Sequence, residues 1–189
     1  PGLKVETPLG EYATQGGHRL WHAPEAMPRT YVPDHRGLEA RLSDGKLTLL
    51  GNIEPYSQIQ KAIAVQLLED RPGIMICQTL TNKGAWPVEL ACWSITQLPL
   101  GGIALLPQAI HPVDSDQLLP NRSLILWPYT RWQDPRLHLH DDLILIKGES
   151  ELPPLKIGYA NNTGWAGYLR NGVFLLKRFE KPNNSPYPD

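Results

Sequence analysis

Across residues 59–68 the apolar side chains Ile59, Ile63, Val65 and Leu67 fall at odd positions, with Gln60 and Gln66 on the other face. A period of two predicts a half-buried β-strand. A helix carrying Ile59, Ile63 and Leu67 on one stripe competes with it, but the turn residues Arg71-Pro72-Gly73 and the run Ile74-Met75-Ile76-Cys77 favour a hairpin. Beyond Asn82-Lys83-Gly84, residues 88–97 read as another strand. In it Val88, Leu90, Cys92, Ser94 and Thr96 share one face, and Glu89, Ala91, Trp93, Ile95 and Gln97 the other. Shorter runs predict strands at 47–50, 103–106, 124–127, 143–146 and 165–169. The last is joined to 173–179 by Asn171-Gly172, a pair suited to a tight hairpin because both residues tolerate positive φ.

Nineteen Pro and sixteen Gly punctuate the chain too often for long helices, so it reads as all-β and mostly antiparallel. Periodicity leaves sandwich and barrel open. With 189 residues and no break in composition, a single domain over 1–189 is expected. A formal net charge of −1, from eighteen basic and nineteen acidic residues, offers no basic face for nucleic acid or an anionic membrane. Neither partner is expected, and no apolar run is long enough to span a bilayer as a helix. No signal peptide is visible, but the chain begins at Pro1, which leaves the compartment open between cytoplasmic and periplasmic or secreted. Cys77 and Cys92 sit inside apolar runs and read as small core residues, with a cross-strand disulfide as the alternative. The final segment 182–189 reads as loop.

The densest polar and aromatic chemistry is Gly16-Gly17-His18-Arg19-Leu20-Trp21-His22-Ala23-Pro24-Glu25, with Tyr31-Val32-Pro33-Asp34 close behind. An indole face can stack on the C–H face of a pyranose, Arg19 supplies fixed donors, and His18 and His22 exchange protons near neutral pH. The segment therefore reads as a sugar-binding surface. The plainer alternative is a buried strand in which Trp21 packs in the core while His18, Arg19 and Glu25 make structural hydrogen bonds.

Four segments in order carry a resemblance. They are 17–25; Trp93-Ser94-Ile95-Thr96-Gln97 with Gly101-Gly102; Trp127-Pro128-Tyr129-Thr130 with Asp134-Pro135-Arg136-Leu137; and Lys156-Ile157-Gly158 with Gly164-Trp165. Together they resemble an uncharacterised bacterial family placed with the galactose-mutarotase-like proteins, the superfamily of aldose 1-epimerases and hexose-phosphate epimerases. The resemblance covers almost the whole chain and implies a β-supersandwich that binds carbohydrate in a groove across one sheet. It also implies that Tyr187-Pro188-Asp189 is followed, in the intact protein, by further strands, one with an acidic residue.

An epimerase of that superfamily uses a base and an acid, typically Glu and His, within hydrogen-bond reach of the sugar. Where those enzymes carry an Asn-His-Tyr-like strand, this chain has Ala91-Cys92-Trp93-Ser94-Ile95-Thr96-Gln97, without His. His22 and Glu25 are then the candidate acid and base, and His18, Arg19, Trp21, Trp93, Trp127 and Arg136 the candidate substrate-binding residues. A non-catalytic carbohydrate-recognition module and a structural β-sandwich appended to an enzyme are the alternatives. Arg136 paired with an Asp across a turn, and Trp127 in the core, are the structural readings of that pair.

His138 and His140 share a strand face near Asp134, Asp141 and Asp142, which is metal-like spacing, but a solvated strand entrance has the same pattern. No metal and no cofactor are expected. Gly101-Gly102 reads as a tight turn rather than a phosphate loop, and no nucleophile elbow occurs, so Ser or Cys hydrolysis is not expected.

Overall fold

The computed structural model describes residues 4–14, 16–112, 114–150 and 152–180; the segment 182–189 lies outside them. The chain is all-β and every strand pairing is antiparallel. One short 3-10 turn, Arg29–Tyr31, interrupts the strands. Two compact units divide it, Pro1–Leu98 and Pro99–Asp189.

In the first unit, β1 (Lys4–Thr7) and β2 (Gly10–Ala13) form a hairpin, and β3 (Gly17–Ala23) pairs with β8 (Ala91–Gln97). A four-stranded meander runs in the order β4 (Glu39–Ser43), β5 (Lys46–Ile53), β6 (Ile59–Leu67), β7 (Ile74–Asn82). The β6–β7 hairpin expected from the period-two pattern is present, with Leu67 opposite Ile74. Strand β8 starts three residues later than the apolar pattern suggests. Its partner β3 ends at Ala23, where Pro24 has no N–H to extend the ladder. Strand β4 carries Glu39, Arg41 and Ser43 and is exposed throughout, which is why no apolar pattern announces it.

Cys77 and Cys92 are not core residues. Both are exposed, free thiols, on β7 and β8. An apolar run sets which residues share a strand face, not whether another layer covers that face.

The second unit holds a five-stranded sheet in the order β11 (Leu137–Leu139), β12 (Leu143–Lys147), β9 (Ile103–Pro107), β14 (Trp165–Arg170), β15 (Val173–Arg178). A short pair, β10 (Ile125–Leu126) and β13 (Ile157–Gly158), accompanies it. Gly101-Gly102 is the tight turn expected, tied to Gly148 by a reciprocal pair of backbone hydrogen bonds of 2.8 Å.

Asn171 and Gly172 have φ of 50° and 75°, so the β14–β15 turn needs two left-handed residues in succession. A Cβ on Gly172 meets nothing within 4 Å, which leaves backbone strain as the only cost. Gly172→Ala is therefore expected to lower stability by about 1 kcal/mol, the penalty of a left-handed L-residue, read from the midpoint of urea unfolding.

Candidate functional site

Strand β3 supplies most of the candidate residues, and its alternation sends them to two different places. Trp21 is opposite Trp93 in the β3–β8 ladder, and Arg19 opposite Ile95, so these side chains share a face. On that face Trp21 is 7% exposed and meets Tyr12, Tyr31 and Trp93 edge-on, with ring centroids 5.8, 5.1 and 5.3 Å away. Its indole N–H donates to the Tyr12 hydroxyl at 2.8 Å. Trp21 is thus an interior anchor and not a stacking surface, and Trp93 is half-buried against it. Both faces of an indole and its one donor serve equally in a core and in a sugar site, so the segment alone did not separate the two uses.

His18, Leu20 and His22 occupy the other face. His18 joins three strands. Gln78 on β7 donates to its Nε2 at 3.0 Å, which leaves Nδ1–H to donate to Thr96 Oγ1 on β8 at 3.0 Å. His22 is 1% exposed, and its Nε2 lies 3.0 Å from Glu54 Oε2.

Glu54 is the residue that the sequence did not single out. It follows β5 in a tight connection to β6, closed by Glu54 N–H to Ile59 C=O and Gln58 N–H to Glu54 C=O, both at 2.9 Å. Its carboxylate accepts from His22 and, at 2.5 Å, from Ser57 Oγ; Lys61 Nζ stands 2.8 Å from Oε1 and 3.8 Å from Asp34. Burial pushes the Glu54 carboxyl up, but His22, the Lys61 charge and the Lys61 and Ser57 hydrogen bonds together outweigh it and hold it down at about 2. Since this acceptor is ionised, His22 Nε2 carries the bonding proton. Glu25, the candidate base, is exposed and accepts from the Tyr31 hydroxyl. Burial, then the hydrogen bond and charge of Glu25, push Tyr31 up to about 12. The hydrogen-bond partner that the structure gives His22 is thus Glu54, which lies on a different element from Glu25. The spacing of three residues in β3 and its continuation could not reveal a partner 32 residues away.

Next to this network the first unit opens into a cavity of about 970 Å³. His18, Arg19, Asp34, Asn52, Glu54 and Lys61 line it, beside apolar Leu20, Leu49 and Ile63. Glu11, His35 and Arg36 stand at it too, while no Trp or Tyr does among the described residues.

The remaining candidates belong to the second unit. Arg136 is 5% exposed and bound on several sides. Its Nε and Nη2 grip Asp134 at 2.9 and 2.7 Å, and its Nη1 and Nη2 donate to the carbonyls of Glu149 and Pro153. Four of its five N–H donors thus hold the protein itself, which makes it a structural clamp. The same fork holds the Asp134 carboxyl at about 2, against the effect of burial. Trp127 is half-buried under the Lys156 ammonium, 4.0 Å from the ring centroid, so a cation already occupies a face that a sugar would need. Asp134 being committed to Arg136, the His138 and His140 neighbourhood assembles no group of three metal-ligating side chains among the described residues. Among those residues no helix is long and apolar enough to cross a membrane.

Comparison of the chain with protein-family models, with curated proteins and with solved structures gives no match.

Proposed function

We propose that the chain is a carbohydrate-binding protein of galactose-mutarotase-like type, its antiparallel sheets belonging to a β-supersandwich, and that the cavity of the first unit receives the sugar. The observation that carries this reading is the make-up of that cavity: about 970 Å³, with donors from Arg19, Asn52 and Lys61, acceptors from Asp34 and Glu54, and aliphatic Leu20, Leu49 and Ile63 among them. A monosaccharide presents hydroxyls that both donate and accept around C–H patches, and a pocket of this size with a few convergent polar groups suits it. The resemblance of the four motif segments to the galactose-mutarotase-like proteins supports the same reading.

Recognition without catalysis fits the geometry better than epimerisation. A carboxylate held at about 2 is a poor proton acceptor near neutral pH, and His22, sealed behind it, is 1% exposed. Calorimetric titration with glucose, galactose and other common aldoses is expected to show saturable binding. Asn52 is exposed at the cavity wall, so Asn52→Ala spares the core and is expected to weaken binding about tenfold, the worth of one hydrogen bond. No saturable binding by any aldose or aldose derivative overturns the carbohydrate reading; accelerated mutarotation in a polarimeter restores the epimerase.

A further inference from the structure

We infer that Arg19 makes this cavity a site for an anionic sugar, one carrying a carboxylate or a phosphate, in preference to a neutral one. The inference rests on the carbohydrate reading of the same cavity and adds the chemical class of its ligand.

Arg19 projects from the middle of β3, with its guanidinium carbon 5.2 Å from the Tyr12 ring centroid. Its Nε and Nη1 are buried, and neither has a hydrogen-bond partner among the described residues. The ring face compensates part of the charge but accepts no strong hydrogen bond. Arg136 shows the contrast within the same chain, where a carboxylate and two carbonyls satisfy the guanidinium. Removing a charged group's donors from water without an acceptor is costly, and the cost falls when an anionic acceptor arrives.

Among the described residues, the carboxylates at the cavity are already engaged. Glu11 is held by Lys4 at 3.0 and 3.1 Å, Glu54 by His22, Ser57 and Lys61, and Asp34 faces Lys61 at 3.8 Å. These three are the carboxylates that line the cavity; Glu11 is paired with Lys4, and Glu54 and Asp34 share Lys61. Both ring nitrogens of His18 are engaged by Thr96 and Gln78. Arg36, exposed at the cavity, adds positive charge on the same side of the balance. Arg19 is therefore the cationic side chain of the cavity whose buried donors lack an acceptor among the described residues, and a planar carboxylate or a phosphate is the acceptor a guanidinium fork holds best. A sugar hydroxyl is a weaker partner for it.

Calorimetric titration of the full chain with three ligands that differ only at C6 tests this: glucose, glucuronate and glucose 6-phosphate, with the corresponding galactose series. One charged member is expected to bind at least about tenfold more tightly than its neutral parent, and whether it is the uronate or the phosphate identifies the anion. That advantage shrinks at about 0.5 M salt, a readout that needs no variant. In Arg19→Gln the ratio of charged to neutral affinity falls to about one, and Arg19→Lys keeps part of it because charge survives while the fork does not. Equal binding of charged and neutral members by the wild type, or an unchanged ratio in folded Arg19→Gln, overturns the anion inference and leaves the carbohydrate reading standing. Inorganic phosphate that binds through Arg19 while no sugar does overturns the carbohydrate reading and keeps the anion site. Absence of binding by every ligand overturns both.

Discussion

Trp21→Ala is expected to cost about 3–5 kcal/mol of stability, the range for truncating a large buried aromatic. Three aromatic rings meet Trp21 edge-on within 5.8 Å, and each such pair adds to the area it buries. Truncation also leaves the buried Tyr12 hydroxyl without its 2.8 Å donor and opens a void between β3, β8 and the Arg29–Tyr31 turn. Trp21→Phe keeps a ring and removes the N–H, so it is expected to lose less, about 1–2 kcal/mol. Urea unfolding followed by far-ultraviolet circular dichroism measures both. A loss below about 1 kcal/mol in Trp21→Ala, together with weakened sugar binding, would return this residue to a binding wall and contradict its place in the interior.

Glu54→Gln is the second large effect, about 3 kcal/mol or more, because it removes the negative partner from a buried pair and leaves Lys61 with only Asp34 at 3.8 Å. The side chain is close to isosteric, so charge rather than volume accounts for the loss. Its pH signature separates it from a packing defect. The Glu54 carboxyl is lowered in the folded chain from 4.5 to about 2, so the folded state binds its proton more weakly than the unfolded state does. The stability this contributes is fully present above about 4.5 and is lost as pH falls through the window down to about 2. Wild-type stability is expected to drop with acid across that window, and the Glu54→Gln profile to be flatter there. Parallel profiles for the two proteins would place the acid sensitivity elsewhere, at groups such as Asp134, which is also held at about 2.

Local chemistry was enough to locate many of the strands. The alternation of Ile63, Val65 and Gln66 gave β6, Arg71-Pro72-Gly73 its hairpin to β7, and Asn171-Gly172 the turn to β15, because side-chain period and turn dihedrals are properties of neighbouring residues. The same pattern misjudged Cys77 and Cys92, since an apolar run does not say which of its side chains the fold covers.

The candidate site was legible only as a segment. Residues 17–25 concentrate its chemistry, and His18 and Arg19 do line the cavity. Which role each residue takes was decided by the pairing of β3 with β8, which turned Trp21 into the aromatic interior and left the buried Nε and Nη1 of Arg19, beside Tyr12, without an acceptor among the described residues. Glu54 carried no signal of its own: in Glu54-Pro55-Tyr56-Ser57 it looks like any acidic turn residue. It became the centre of a charged network because the meander carries that turn to His22, Lys61 and Asp34. The sequence by itself determined the all-β class, the main hairpins and the region where polar chemistry is dense, for these depend on residues adjacent in the chain. Tertiary structure alone decided which side chains are core, which are paired and which face the cavity, because burial and charge pairing depend on residues that only the folded chain brings together.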